Sequence, residues 1–295
     1  MSRRALLLFA AMSIIWGIPY LFIRIAVAEI TPATLVLGRT AIAAAILLPI
    51  AVVHTDLRQV LARWHWVVAF AAVEIGIPWV ALGSAEQHIS SSLAALLIAG
   101  VPLVGAAIAL LTRGADRFGG TGLLGMLIGV VGVGLIVGTD FAATDSTALL
   151  QVGIVVIGYA LGPAILARRL DGLPTVGVMA VSLTLVALVF APVAATQWPT
   201  TTPSANVLIA IVVLATVCTA LGFVLFAALI DSVGPVRATV ITYINPAVAA
   251  FLGVLVLQET FTVPMAVGFA LVIAGSMLAT RPARSEVLGP TPAPA

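Results

Sequence analysis

Charged side chains are scarce in this sequence. Asp, Glu, Lys and Arg make up 8% of the 295 residues, whereas hydrophobic residues make up 62%. A water-soluble domain carries about a quarter charged residues, so this chain has too little polar surface to face water on all sides. Apolar stretches of the length that crosses a bilayer, about 20 residues, recur along almost the whole chain. The composition therefore predicts a helical protein that crosses the membrane many times.

Lysine is absent and cysteine occurs once, as Cys218 in an apolar run. A lone cysteine excludes a disulfide framework and a cysteine-based metal site. The 13 arginines are scattered singly or in pairs, which is unlike a nucleic-acid-binding cluster. A G-x-S-x-G nucleophile, a phosphate-binding loop and clustered acidic residues are missing as well. We therefore expect no enzyme activity, no cofactor, no metal and no nucleic-acid partner.

Ten apolar stretches are long enough to be membrane-spanning helices. The first is longer than the core of a cleaved signal peptide, about 7–15 residues, so we predict that it is retained. The tail over 281–295 is rich in proline and alanine and is predicted to be disordered. The predicted spans are 5–28, 33–53, 64–85, 89–112, 118–139, 147–167, 173–196, 205–230, 236–257 and 261–280.

The arginines indicate how these helices are oriented. All of them except Arg24 and Arg39 fall at the chain ends or in loops on one side of a ten-helix arrangement. Positive residues are retained on the cytoplasmic side of a membrane. We therefore expect a multi-pass protein of the cell inner (plasma) membrane with both termini in the cytoplasm.

The two halves of the chain repeat each other. Pro19 recurs as Pro163 and Pro102 recurs as Pro246, in each case 144 residues later. A constant offset near half the chain length indicates a duplication. Because each unit has an odd number of helices, the second unit enters the membrane in the opposite orientation. The predicted fold is an all-α membrane domain over 1–295 with ten transmembrane helices in two inverted repeats, over 1–146 and 147–280.

Three stretches carry a resemblance to a known family. "IIWGIPYLFIRIA", "TPATLVLGRTAIAAAILLP" and "INPAVAAFLGVLVLQETFTVPMAVGFALVIAGSML" resemble the EamA-type transporters of the drug/metabolite transporter superfamily. Asp116 stands where that family usually has glutamate. The resemblance covers essentially the whole chain and implies a secondary transporter that moves a small-molecule substrate across the lipid bilayer. Because the family includes bacterial exporters of aromatic and other neutral amino acids, it implies export of such amino acids by alternating access.

Polar and aromatic residues at membrane depth outline a candidate site. Lipid tails cannot accept hydrogen bonds, so such side chains must face protein or water. In inverted-repeat carriers the water-filled cavity lies between the halves near the midplane. We predict that Pro19 bends the first helix at the wall of this cavity, because proline removes a backbone hydrogen bond. The predicted substrate-binding residues are Trp16, Tyr20, Arg39, Glu74, Trp79, Tyr159 and Tyr243, and the predicted gating or hinge residues are Pro19, Arg24, Pro163 and Pro246.

Several alternatives stay open at this point. Arg39 and Glu74 could bind the charged ends of a zwitterion, with Glu74 also able to carry a proton, or they could form a structural ion pair between helices two and three. Arg24 could instead extend to the interface. A multidrug or other metabolite exporter, or a lipid flippase, is an alternative function, although paired basic residues at midplane depth, which would suit a lipid headgroup, are missing. The sequence leaves the oligomeric state open and is compatible with a monomer.

Overall fold

The structure, a computed structural model, describes residues 2–113, 120–138, 145–234 and 238–280. This part of the chain is helical and contains no strand. Nine of its helices are long and apolar enough to cross a membrane, and a tenth apolar helix is shorter. The helices are α1 Arg3–Ala26, α2 Pro32–His54, α3 Trp64–Ala85, α4 Ser91–Leu111, α5 Gly120–Gly138, α6 Ser146–Arg169, α7 Thr175–Thr196, α8 Ala205–Val233, α9 Val240–Leu257 and α10 Val263–Ala279.

The predicted fold class, ten transmembrane helices in two inverted five-helix repeats, is confirmed. A short helix, Leu57–Ala62, joins α2 to α3. We call the side where α1 begins the near side of the bundle and the opposite side the far side. Of the residues used in the sequence analysis, Asp116, Arg117, Arg237 and the tail over 281–295 lie outside the described residues.

The helix packing follows a pseudo-twofold axis that exchanges the two repeats. Helices in equivalent positions pack on each other, α2 on α7, α4 on α9 and α5 on α10. The two remaining pairs, α1 with α8 and α3 with α6, are equivalent to each other under the same exchange. Every one of these pairs joins a helix of the first repeat to a helix of the second. The interior of the bundle is therefore formed between the repeats.

Glycines bring α5 and α10 into backbone contact. Gly125 lies against Gly275, and Gly132 lies against Gly268, so the two helices run antiparallel. A Cβ atom on Gly132 would lie 2.6 Å from the carbonyl oxygen of Gly268, which only glycine avoids. Small residues allow this close approach between membrane helices. The glycines of α5 thus make a packing contact within the chain.

Prolines coincide with interruptions in three helices. Each proline lies in the first turn of a new helical segment, where its missing N–H group costs nothing. By contrast, α6 continues through Pro163 without a break. The segments are Arg3–Ile15 and Pro19–Ala26 in α1, Ser91–Ile98 and Val101–Arg113 in α4, and the 3-10 segment Thr239–Tyr243 followed by Asn245–Leu257 in α9.

Two helices contain a widened π-helical segment at equivalent positions. In α3 the segment is Ala71–Gly76, and in α8 it is Leu214–Leu221, which begins 143 residues later. In α3, Pro78 follows the segment and cannot donate to the carbonyl oxygen of Glu74, which favours a local change in hydrogen bonding. Segments of this kind occur frequently at functional sites. Both lie in the middle of their helices, between the repeats.

Candidate functional site

Arg39 of α2 is a buried cation in the interior of the bundle, with 7% of its surface exposed. Its Nε donates a hydrogen bond to Oγ1 of Thr219, at 2.8 Å. Its Cζ lies 3.5 Å from the ring centroid of Trp79, a cation–π contact that contributes about 2 kcal/mol when the pair is shielded from water. Within the described residues, the terminal nitrogens Nη1 and Nη2 of Arg39 make no hydrogen bond.

The π segment of α8 positions Thr219 for this contact. The Thr219 hydroxyl donates to the carbonyl oxygen of Leu214, at 2.8 Å, and accepts from Arg39. The two groups meet because a π-helical turn brings residue i+5 next to the carbonyl oxygen of residue i, and Thr219 is five residues after Leu214. Thr219 was missed in the sequence analysis. Its only sequence signal is its position, 180 residues after Arg39 on the helix of the second repeat that matches α3.

Three aromatic side chains surround Arg39. Tyr20 and Trp79 are each 7% exposed. The buried hydrophobic residues of the bundle form two large clusters, and Tyr159 of α6 packs against both, so it lies where they meet. The indole of Trp79 lies close to the hydroxyl group of Tyr159, and Tyr20 lies within electrostatic range of Tyr159 and of Arg39. The structure thus brings together four of the predicted substrate-binding residues.

Glu74 lies on the π segment of α3 and faces α6. Its carboxylate packs against Gly162, where any larger residue would collide with it. Oε2 of Glu74 is fully buried and has no hydrogen-bond partner in the described part of the chain. Tyr159 lies within electrostatic range of both Glu74 and Arg39. Both residues therefore lie near the same tyrosine.

The alternative of a structural ion pair between Arg39 and Glu74 is not what the structure shows. Among the described residues the one ion pair joins His88 to Asp145, at 3.8 Å on the far side. The guanidinium of Arg39 is instead held by an aromatic face and a neutral hydroxyl. Oε2 of Glu74 is left without a hydrogen-bond partner among the described residues, and the hydrogen bond recorded there for the Arg39 side chain is the one from Nε to Thr219.

Two of the predicted residues lie apart from this group. Trp16 stacks on Phe226, with 4.6 Å between ring centroids, and its indole N–H donates to the carbonyl oxygen of Cys218 at 3.2 Å. Trp16 therefore contacts the same π segment of α8 that carries Thr219. Tyr243 lies half-buried in the 3-10 segment of α9, and no described hydrogen bond or ring contact joins it to the group around Arg39.

The interruption of α1 at Pro19 is stabilised from α9. Gly17, in the interruption, approaches so closely that a Cβ atom would lie 2.6 Å from Cβ of Val248. Asn245, with its amide nitrogen facing α1, donates to the carbonyl oxygen of Ser13 at 3.0 Å. Asn245 was also missed, although it directly precedes Pro246. The two predicted hinge prolines therefore lie on either side of one contact between the repeats.

Arg24, the remaining predicted gating residue, is half-buried near the far end of α1. Its Nη1 donates to the backbone carbonyl oxygen of Glu86, at the far end of α3. Glu86 was not a predicted site residue, yet none of its surface is exposed. Both of its carboxylate oxygens lack a hydrogen-bond partner among the described residues.

A separate cavity of about 570 Å³ lies between α2 and α7, towards the near side. Its lining is almost wholly aliphatic, with Thr184 as the polar exception, and includes no charged side chain. None of the predicted site residues contributes to it. A lipid acyl chain suits such a groove better than a charged metabolite, because it offers no partner for polar groups.

Comparisons with known proteins give a consistent result. The profile of the EamA-like transporter family matches residues 3–138 and 146–281, which correspond to the two repeats. One solved crystal structure superposes with a TM-score of 0.66, covering 95% of this chain and 97% of the other at 18% identity, a likeness that shows the fold alone. No protein with a curated description matches. Because the family match spans both repeats, the chain belongs to the EamA-like transporter family, within the drug/metabolite transporter superfamily.

Proposed function

We propose that this transporter exports neutral or aromatic amino acids by alternating access, and that the substrate binds between the repeats at Arg39 and Glu74. Membership of the family supports a transporter of small molecules in the bilayer. The substrate class rests on one observation, the buried guanidinium of Arg39 whose Nη1 and Nη2 have no described partner.

The chemistry of the group fits a zwitterion. A guanidinium offers a planar pair of N–H groups that match the two oxygens of a carboxylate. Glu74, which also lies within electrostatic range of Tyr159, provides an acceptor for an ammonium group. An ion in the bilayer interior costs a few kcal/mol unless it is paired. Binding a substrate with both charges would offset that cost at both residues together.

The aromatic rings account for the rest of the substrate. Tyr20, Trp79 and Tyr159 provide flat, mainly apolar faces next to the two charges. Binding sites for small molecules are typically of this kind, mostly apolar with a few placed polar groups. Arg39, Tyr20 and Trp79 are buried, and Glu74 and Tyr159 are half-buried, which is what alternating access would require of a conformation closed to both sides. Opening to either side would require the repeats to separate along α1–α8 or α3–α6.

A lipid flippase is less well supported by the structure. A flippase needs a groove that opens to the bilayer and ends in a polar headgroup pocket. The groove between α2 and α7 faces lipid, but its lining carries no charge. The buried charges lie elsewhere, between the repeats. Export, rather than uptake, rests on the family resemblance, with the near side of the arginine loops as the cytoplasmic side.

The proposal is tested by counterflow in liposomes with matched substrates. Neutral amino acids are compared with their amides, which lack the carboxylate, and with the corresponding carboxylic acids, which lack the amine. We expect Arg39→Gln to abolish the preference for the carboxylate, and Glu74→Gln to abolish the preference for the amine. If wild-type protein exchanges none of these compounds, the substrate class is wrong. If the variants lose all substrates equally, the assigned contacts are wrong.

A further inference from the structure

The far end of the bundle contains a second buried carboxylate group that the proposed substrate site does not use. Glu86 directly follows α3, and none of its surface is exposed. Oε1 and Oε2 both lack a hydrogen-bond partner in the described residues. An ionised carboxylate without partners is among the most costly groups to bury. The structure therefore needs either a counterion at Glu86 or a proton on it.

The nearest cation does not neutralise the Glu86 carboxylate. Nη1 of Arg24 donates to the backbone carbonyl oxygen of Glu86, and within the described residues no ion pair joins the two side chains. Arg24 still lies within electrostatic range, so it favours the charged form to some extent. The guanidinium thus fixes the position of residue 86 and leaves its carboxyl group unpaired.

A second acidic residue lies within electrostatic range of Glu86. Glu259, between α9 and α10, accepts hydrogen bonds from the backbone N–H groups of Ser91 and Ser92, at 2.8 and 2.9 Å, and from the Ser92 hydroxyl. These bonds place the carboxyl group of Glu259 at the first turn of α4, where the N-terminus of a helix attracts negative charge. When two carboxyl groups share a site, the one without donors takes the proton. Glu86 is that group.

The charged and titratable groups that face Glu86 come from three elements. They are Arg24 and Tyr20 from α1, Tyr159 from α6, and Glu259 from the loop before α10. Burial first, and the charge of Glu259 second, raise the pKa of Glu86 well above its ordinary value, and Arg24 offsets this only in part. Tyr20 and Tyr159 are also within range of Arg39, so Glu86 borders the far side of the candidate substrate site.

We propose that Glu86 is a proton-binding site at the far end of the bundle, and that closing the far side of the transporter takes up one proton there. In the closed conformation Glu86 is buried and must be neutral. When the far side opens, water reaches Glu86, and an exposed glutamate is ionised at neutral pH because its pKa is about 4.3. By linkage, a lower pH on the far side then favours the closed conformation. The conformational part rests on alternating access as proposed above, whereas the proton site does not.

The proton site is tested by infrared spectroscopy on the full chain in bilayers. We expect a carbonyl stretch from a protonated carboxyl group at neutral pH, and we expect Glu86→Gln to remove it. Glu29→Gln is the matched control, because Glu29 is an exposed glutamate on the same side and is already ionised. Glu74→Gln separates any second band that arises from the substrate site. A carbonyl band that survives in Glu86→Gln and disappears only in Glu74→Gln would overturn the assignment.

The conformational part is tested with spin labels on the far side at His88 and Gln197, in a Cys218→Ala background. Labelling at residue 88 also removes a titratable histidine. We expect the label distance in the otherwise wild-type protein to lengthen as pH rises, and Glu86→Gln to keep the short distance at every pH. Arg24→Gln should shift the transition to higher pH and Arg24→Lys should not, which keeps the proposal testable if Glu86→Gln fails to fold. An equal pH response in Glu86→Gln would refute this part, whereas a distance that responds to neither substrate nor pH would refute alternating access.

Discussion

Replacing Thr219 by valine removes the one hydroxyl that holds the guanidinium of Arg39, and it keeps nearly the same side-chain shape. The hydrogen bond from Nε of Arg39 to Thr219 measures 2.8 Å and lies in the buried interior. Hydrogen bonds to charged groups contribute about 1.5–3 kcal/mol. If the substrate carboxylate needs Arg39 in this position, the apparent affinity should fall about 10- to 150-fold, because each 1.4 kcal/mol is a factor of about ten.

The expected loss lies at the lower end of that range. Trp79 still contacts the guanidinium, with Cζ 3.5 Å from its ring centroid, so Arg39 stays near its place after the substitution. What Arg39 loses is the orientation of its planar group, on which two-point recognition of a carboxylate depends. We therefore expect KM for the amino acid to rise, while KM for the corresponding amide changes little.

Thr216→Val is the matched control, since Thr216 lies on the same helix. Its hydroxyl donates to the carbonyl oxygen of Val212, at 2.7 Å, and does not reach the interior. Counterflow in liposomes gives KM for each variant, and the melting temperature reports folding. The reasoning is refuted if Thr219→Val and Thr216→Val behave alike, or if Thr219→Val weakens the amino acid and its amide by the same factor.

Two further predictions concern the scaffold. Gly132→Ala should destabilise the protein by about 1–3 kcal/mol, the usual cost of overpacking, because the new Cβ would lie 2.6 Å from the carbonyl oxygen of Gly268. Gly134→Ala is the control: the position has open space around it, so the melting temperature should be unchanged or higher. On the far side, the hydrogen bonds from Ser204 depress the pKa of the Glu29 carboxyl group. These bonds therefore stabilise the folded protein at pH values above the ordinary pKa of glutamate, and this stabilisation is lost as pH falls through the depressed pKa. The protection factor of the Ser204 amide, the ratio of its intrinsic to its observed hydrogen-exchange rate, should fall at acid pH in the wild type and should be low at all pH values in Glu29→Ala, and a pH-independent protection factor in the wild type would contradict this.

The sequence predicted the fold well because the relevant signals are local or periodic. Helix length, arginine placement and the constant proline offset each depend on properties of a single stretch or on a comparison of two stretches. Arg39 was recognised because a charge at membrane depth always needs a partner. The partner itself, Thr219, could not be predicted, because it comes from the other repeat and lies on a widened turn that no residue pattern in α8 predicts.

Helical periodicity does not continue across the interruption of α1. Trp16 and Tyr20 are four residues apart, which places them on one face of a continuous helix. The helix stops at Ile15 and resumes at Pro19, so that spacing does not apply between them. Trp16 packs on Phe226, whereas Tyr20 lies near Arg39. Glu86 was missed for a related reason, because a residue at the end of a helix is exposed unless distant segments cover it.

The symmetry of the scaffold contrasts with the asymmetry of the site. The π segments of α3 and α8 begin 143 residues apart, and the same offset carries Arg39 onto Ser182 and Glu74 onto Val217. Ser182 is fully buried and its hydroxyl has no described partner, so the second repeat keeps a polar group there but no charge. Both buried charges of the proposed substrate site thus come from the first repeat, while the second provides Thr219 and Tyr159. A substrate with two unlike ends binds in one orientation, and a symmetric pair of charges would not distinguish that orientation from its reverse. The divergence of the repeats at these positions is therefore what the proposed site for an oriented zwitterion would require, and a symmetric scaffold would let that one site open alternately to either side, as proposed above.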